Sequence, residues 1–369
     1  MPHTHDEYLA AMIEARASDL ILKSGSFPAV RVDGEIRFLE ERVLDEAWCE
    51  SVFGAVVKKD GDRRRFEEEN EIDIAVDRPD VGRFRANVFR QSGQLGLVFR
   101  HIQTKVPGFG ELHLPVQAMT KLAGLKRGLV LVTGIAGSGK STTLASLVEH
   151  INQHRRCHVV TIEDPIEFLF KDKKSILNQR EIGLDTHDFA TALKHVVRQS
   201  PDVILIGEMR DKETMEAAVN AAETGHLVFS TLHTVNAIQT VERIINYFPP
   251  HQHALIRLQL SMVLEGVVSQ RLLVKKDGRG RVPAIELLMA TPTIREILYE
   301  GRTRDVYSAL KEGAYYGTQT FNQSLKQLFE DDLVTLEDAL AAADNPDELK
   351  LEIRGITKGT QSGMYGSTM

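Results

Sequence analysis

Apolar positions change their period as the chain is followed from its start. Over residues 6–16, Tyr8, Leu9, Met12 and Ile13 recur at helical spacing and predict a short amphipathic helix. Asp19-Leu20-Ile21-Leu22 reads as a strand. Ala29-Val30-Arg31-Val32 and Glu35-Ile36-Arg37-Phe38 flank Asp33-Gly34, a two-residue hairpin signal. Asp45 is placed to cap a helix that turns Trp48, Val52, Phe53 and Val56 to its buried side. Arg63, Arg64 and Arg65 each stand four positions before a glutamate, which predicts a self-compensating solvated helix face, not a ligand site. Residues 71–102 alternate as an antiparallel meander does. Phe84, Ala86 and Val88 share one face there, so Arg83 and Arg85 project together from the other, and Arg100 ends the next strand.

Residues 104–111 have the Pro- and Gly-rich composition of a junction. Beyond them strands and helices alternate, the mark of a parallel sheet with crossover helices. The strands are Leu129-Val130-Leu131-Val132, His158-Val159-Val160-Thr161-Ile162, Val203-Ile204-Leu205-Ile206 and Leu227-Val228-Phe229-Ser230-Thr231. Helices are expected to end over 193–199 and to run over 215–222. From about residue 251 the pattern turns largely helical. Leu255, Leu258, Met262 and Val263 mark one helix, Ile294, Ile297 and Leu298 another, and residues 325–329 a third, all read as core packing. The Gly-, Ser- and Thr-rich residues 355–369 are expected to be disordered. The segmentation is therefore 1–103, a linker 104–111, a core 112–290, a helical region 291–354 and a tail 355–369.

Composition narrows the class without deciding it. With 369 residues, 42% apolar and 26% charged, the chain reads as a soluble globular protein of two domains. A net charge of −7 gives no overall pull toward nucleic acid or anionic lipid. No uninterrupted apolar stretch reaches the length of a membrane span, and the first residues lack the basic-then-apolar pattern of a signal peptide. Cys49 and Cys157 are far apart, so neither a zinc site nor a disulfide framework is indicated. A cytoplasmic protein is expected.

The chemistry concentrates behind the first of those strands. Gly134-Ile135-Ala136-Gly137-Ser138-Gly139-Lys140-Ser141 follows an apolar strand and opens, at Thr142, onto an amphipathic helix: strand, glycine loop, Lys-Ser and helix are what a phosphate-binding P-loop requires. Glycines let backbone amides curl around an anion, and the helix N-terminus adds partial positive charge. Lys140 can reach the β- and γ-phosphates of a nucleoside triphosphate, and Ser141 can hold Mg²⁺ through its hydroxyl.

Three further clusters follow in order. Glu163, Asp164 and Glu167 crowd the end of one strand, a carboxylate density that needs solvent or cations around it. Glu208 ends the apolar strand 203–206, in the form of a Walker B acid that can orient the Mg²⁺ shell or an attacking water. His226 precedes and His233 follows the strand 227–231. Two histidines without cysteine or carboxylate at ligand spacing are weak evidence for zinc, but close to a γ-phosphate they could sense its presence.

With the P-loop (134–141), the acidic box (161–167), the Walker B stretch (200–211) and the histidine box (223–233) in that order, the chain resembles the secretion ATPase superfamily, specifically the type IV pilus retraction ATPases (PilT- and PilU-like). The resemblance spans residues 6–350. It implies an α/β fold with an N-terminal PAS-like domain and a RecA-like P-loop ATPase core, with a helical C-terminal region. It also implies a homohexamer with ATP at its subunit interfaces, in the cytoplasm at the inner-membrane pilus base against a platform protein, with a paralogous retraction ATPase as a further partner and no nucleic acid. On this resemblance Lys140 and Ser141 contact phosphate and Mg²⁺, Glu163 activates water, Glu208 supports the metal, and His226 and His233 form the histidine pair. Arg83, Arg85 and Arg100 fall where the family draws its interface arginines. Ile135 and Ala136 depart from the usual P-loop residues but contribute mainly backbone, and Ser200 stands where an acid is common. Residues 293–300 only approximate the retraction family's C-terminal signature, and 339–353 stand closer to the accessory paralogue. Primary motor, accessory motor and a non-hydrolysing ring subunit are the readings left open. Extension and type II secretion ATPases, with a longer N-terminal region and a four-cysteine insertion, fit less well.

Overall fold

The computed structural model describes residues 3–32, 34–78 and 81–355. Asp33 of the expected hairpin turn, and the expected tail beyond Gly355, lie outside the described residues. By internal contacts the chain divides into two units, residues 1–105 with 167–169, and residues 106–166 with 170–369.

In the first unit the order is α1 (His5–Glu14), β1 (Asp19–Lys23), β2 (Ala29–Val32), β3 (Glu35–Phe38), α2 (Glu46–Val56), α3 (Asp60–Glu69), β4 (Glu71–Arg78), β5 (Gly82–Gln91) and β6 (Gln94–Ile102). The strands form one antiparallel sheet in the order β3-β2-β1-β6-β5-β4. Helix α1 starts at Thr4, whose hydroxyl accepts from the Glu7 amide while the Glu7 carboxylate accepts from the Thr4 amide, a reciprocal capping box. Asp45 caps α2 through the Trp48 amide at 2.7 Å. One core, with Tyr8, Leu9, Met12, Phe66, Phe84 and Phe99 at its centre, lies between helices and sheet. Among the described residues none of the expected Arg–Glu pairs along α3 closes to an ion pair, and Arg63 instead donates to the Val57 carbonyl at 2.9 Å. Exposed side chains on such a face lose more in entropy and hydration than the screened attraction returns.

The second unit is built from α4 (Val116–Ala123), β7 (Gly128–Thr133), α5 (Lys140–His154), β8 (His158–Glu163), β9 (Ile176–Glu181), α6 (Phe189–Val196), β10 (Val203–Ile206), α7 (Lys212–Glu223), β11 (Leu227–Leu232), α8 (Ala237–Asn246), α9 (His253–Val263), β12 (Leu264–Val274), β13 (Arg281–Met289), α10 (Pro292–Glu300), α11 (Val306–Glu312), α12 (Phe321–Glu330), α13 (Leu336–Ala342) and α14 (Pro346–Ile353). Its sheet runs β13-β12-β7-β11-β10-β8-β9, parallel from β12 to β9 with β13 antiparallel at the edge. Strands β7, β10 and β11 are buried along their whole length, which explains their unbroken apolar runs. One face packs on α6 to α11, the other on α4 and α5. A smaller cluster joins β12 and β13 to α12, α13 and α14.

Two expectations need correction. Residues 264–289, read within a largely helical stretch, form the long β12–β13 hairpin. Both faces of that hairpin are covered, so its apolar residues run on without the alternation that marks a half-exposed strand. Helix α9 exists, but it buries Ile256, Leu260 and Val263, whereas Leu255, Leu258 and Met262 are exposed and form no part of the core. The two triads are neighbouring stripes on one helix, and α7 and α10 pack on the former.

Candidate functional site

The carboxyl ends of β7, β11, β10 and β8 lie side by side, and the register gathers there what the sequence scatters over a hundred residues. Leu232 pairs with Thr133, Ser230 with Ile206, and Ile206 with Ile162. Strands stand about 4.8 Å apart, so the residues that follow these positions share one rim.

The glycine loop leaves β7 at Gly134. Its φ is 147°, and a Cβ there would stand 2.4 Å from Ser138 Oγ and 2.6 Å from the Gln270 carbonyl, so only glycine fits. Gly139, at φ 89°, is the N-cap of α5, and Lys140 is its first helical residue. That lysine is buried, and its Nζ donates to the carbonyls of Gly134 at 2.9 Å and Ile135 at 3.0 Å. The cation is thus aimed back into the loop, over the space the loop amides surround. Ile135, Ala136 and Gly137 are exposed, while Ser138 is buried with its Oγ lacking a hydrogen-bond partner. Ser141 and Thr142, partly buried, complete the first turn of α5. Loop amides, a buried ammonium and an open helix N-terminus together make an anion cradle.

Two carboxylates lie along the same rim of the sheet. Glu163 ends β8, partly buried, and accepts from Thr161 Oγ1 at 2.6 Å and from Gln179 Nε2 of β9 at 3.2 Å. Asp164 and Glu167 beside it are exposed, and the Asp164–Pro165 bond is cis. Glu208 is held more rigidly. The Gly207 amide donates to the Ile162 carbonyl of β8 at 2.8 Å, and the Met209 amide to the Thr231 carbonyl of β11 at 3.2 Å. Thr231 Oγ1 returns a bond to the Gly207 carbonyl at 2.7 Å. Glu208 is thereby pinned between two strands, its side chain only 12% exposed, ion-paired with Arg210 and 3.5 Å from His233 Nε2. The Glu208 hydrogen bond and charge raise the pKa of the Arg210 guanidinium, with Asp164 adding to the effect.

The histidines part company. His233 follows β11 at the rim, against Glu208, whereas His226 precedes β11 at the opposite end of the sheet. A six-residue strand puts roughly 20 Å between the two ends. His226 Nδ1 sits 2.9 Å from the Ala221 carbonyl and 3.2 Å from Thr224 Oγ1, contacts that close the end of α7. Arg83, Arg85 and Arg100 belong to the first unit, where Arg85 pairs with Asp73 at 3.1 Å and Arg100 with the buried Asp19 at 2.8 Å. Arg83 Nε is buried without a hydrogen-bond partner.

Sequence reasoning gave no role to Thr161, Gln179, Arg210 or Thr231. Thr161 carried a usable signal, since it stands two positions before Glu163 on one strand and so on the same side. Gln179 carried none, because its partner is set by the pairing of β8 with β9.

Comparison with known proteins adds a second line. The family model for type II/IV secretion system proteins matches residues 9–307. A type IV pilus ATPase, PilU of Pseudomonas aeruginosa, is 41% identical over 95% of this chain and 91% of its own length. The type IV pilus retraction ATPase PilT of the same organism is 43% identical over 92% of this chain and 98% of its own. The crystal structure of a pilus retraction motor, PilT, with bound ADP superposes with a TM-score of 0.88 at 46% identity, covering 95% of this chain and 99% of that one.

Proposed function

We propose a function that follows from one fact: this chain belongs to the type II/IV secretion system protein family. It is an ATPase, and the work its hydrolysis drives is the retraction of type IV pili, the activity named for its relatives. The observation that carries the hydrolytic part is the rim itself, where a P-loop lysine, the β8 acid Glu163 and the pinned acid Glu208 converge on one sheet edge. A ring subunit that only bound nucleotide would have no use for an oriented water-positioning acid such as Glu163.

In this reading the loop amides of 137–141 and Lys140 hold the β- and γ-phosphates of ATP, and the N-terminus of α5 supports their charge. Glu163, kept in orientation by Thr161 and Gln179, positions and deprotonates the attacking water. Arg210 and His233 fix the Glu208 carboxylate and report on what it touches. The Ser141 hydroxyl and Glu208 form a hard, all-oxygen donor pair suited to Mg²⁺. When bound, that ion supplies neutralisation of charge on the phosphoryl group in transfer.

The finer architecture belongs to the same proposal: the first unit is PAS-like, the second RecA-like, and six copies assemble into a ring at the cytoplasmic face of the inner membrane against a pilus platform protein. Among the described residues no helix is long and apolar enough to cross a membrane. In such a ring Arg83, Arg85 and Arg100 act on a neighbour's nucleotide, and Arg100, 67% exposed on Asp19, has the most freedom to do so. His226, remote from its own rim, is given a structural role at the end of α7.

Phosphate release by the purified full-length protein tests the proposal. Lys140→Ala and Glu208→Ala are expected to lower it at least about a hundredfold. A Lys140→Ala protein that turns over at the wild-type rate would end it. In cells, deletion is expected to leave surplus pili, and bald cells would point to extension instead.

A further inference from the structure

One buried carboxylate has no part in the chemistry above. Glu286 lies in β13, 4% exposed, and accepts a hydrogen bond from the Ala237 amide at 2.7 Å. Ala237 is the first residue of α8, whose N-cap Asn236 accepts from the Gln239 amide at 2.8 Å. Two of the amide donors that a helix start leaves unpaired are therefore taken up, one locally and one from the far edge of the sheet.

Glu286 also sits in a row. It is opposite Ser269 of β12, and Ser269 is opposite Thr133 of β7. Thr133 Oγ1 donates to Ser269 Oγ at 2.9 Å, and both residues are fully buried. Residues opposite one another in a sheet share a face, so the row runs on one side of the sheet from the residue before Gly134 to the residue that grips α8. The four residues 233–236 alone separate the end of β11 from α8, and the first of them, His233, faces Glu208. Glu286 therefore holds the start of α8, and so the His233 turn, from the hairpin whose β12 pairs with the P-loop strand β7.

We propose that Glu286 is a positioning residue for ATP hydrolysis, anchoring the start of α8, and with it the His233 turn, to the β12–β13 hairpin that pairs with the P-loop strand. It acts through the Ala237 amide. An ionised carboxylate is the stronger acceptor for that amide and the better match for the positive end of α8. Its burial pushes its pKa up to about 7, against the Ala237 bond, which lowers it. The charged groups acting on it are Asp344, ahead of α14, and Arg271 of β12, which are ion-paired to each other. Helix α8 meets it with the uncharged Ala237, and its row holds the uncharged Ser269 and Thr133. The anchor thus tightens as pH rises through neutrality.

This inference rests on the ATPase reading, and one experiment separates the two. Steady-state ATP hydrolysis by the full-length protein is followed from pH 5.5 to 8.5 for wild type, Glu286→Gln and Glu286→Ala. Wild-type kcat is expected to rise through pH 7. The alanine variant should lose about tenfold in kcat with KM for ATP within about threefold, because the phosphate cradle is untouched. The glutamine variant keeps an oxygen acceptor, so it should recover most of that loss yet lack the wild-type rise through pH 7. If the alanine variant fails to fold, the glutamine profile decides. A glutamine variant with the wild-type pH profile overturns the proposal, as does an alanine variant with wild-type kcat or one impaired only in KM. A wild-type protein without ATPase activity would strike instead at the function proposed above.

Discussion

Gly134 combines a positive φ of 147° with a Cβ position already filled by Ser138 and Gln270. Gly134→Ala is expected to lose about 1–3 kcal/mol of stability, the usual cost of forcing a side chain into such backbone. Urea unfolding of the second unit would register it, and nucleotide affinity should fall in parallel because the loop can no longer close over Ser138. At this scale the strand-end positions were legible: the loop and His233 directly follow strands, Glu163 ends one and Glu208 stands two residues past another, as local order alone placed them. What stayed hidden is pairwise. The contact of Glu286 with Ala237 joins residues far apart in the chain and is created only when β13 closes the sheet edge. His226 shows the converse: it neighbours a motif in sequence yet lies at the other end of its strand.

Among the elements, β12 and β13 hold the clearest lesson. Their apolar runs match a buried strand and a buried helix equally well, and length alone did not arbitrate. The turn between them contains Asp277-Gly278, with Gly278 at φ 72°, the same dipeptide signal that marked Asp33-Gly34. Read with that weight, the hairpin would have been found. β9 is harder, a mostly polar edge strand whose place depends on pairing with β8. The hairpin also governs how stability varies with pH. A carboxyl whose folded pKa is raised favours folding most below its unfolded value near 4.5, and that contribution is lost as pH rises toward 7. The shift corresponds to a change on the order of 3 kcal/mol. Comparing wild type with Glu286→Gln by thermal melts at pH 5 and pH 8 isolates it: the glutamine protein should gain relative stability at pH 8. Equal differences at both pH values would mean that Glu286 titrates normally. The ionised form is then the less stable and the more active one, a trade common at functional sites.

For the whole molecule, the first unit keeps its own core. The cluster from Tyr8 to Phe99 is drawn from residues 8–99 alone and is covered by a complete six-stranded sheet. A fragment of residues 1–105 is expected to unfold in one cooperative step, read by circular dichroism in urea, and the remaining chain to retain nucleotide binding. A fragment without a sigmoidal transition would refute the division at residue 105. The Pro-Gly stretch 107–110, where the hydrophobic period changes, is the sequence feature that lies next to this division. The return of residues 167–169 to the first unit, where Phe168 bridges Gln103 and the Leu169 amide donates to its carbonyl at 3.0 Å, left no such trace.

The bonds of Lys140 to the carbonyls of Gly134 and Ile135 have a meaning for binding as well. An ammonium satisfied by its own loop is not waiting for an anion; it must trade partners. A phosphate oxygen that engages this ammonium therefore does so by exchange, taking the place of carbonyl bonds and not filling an empty position.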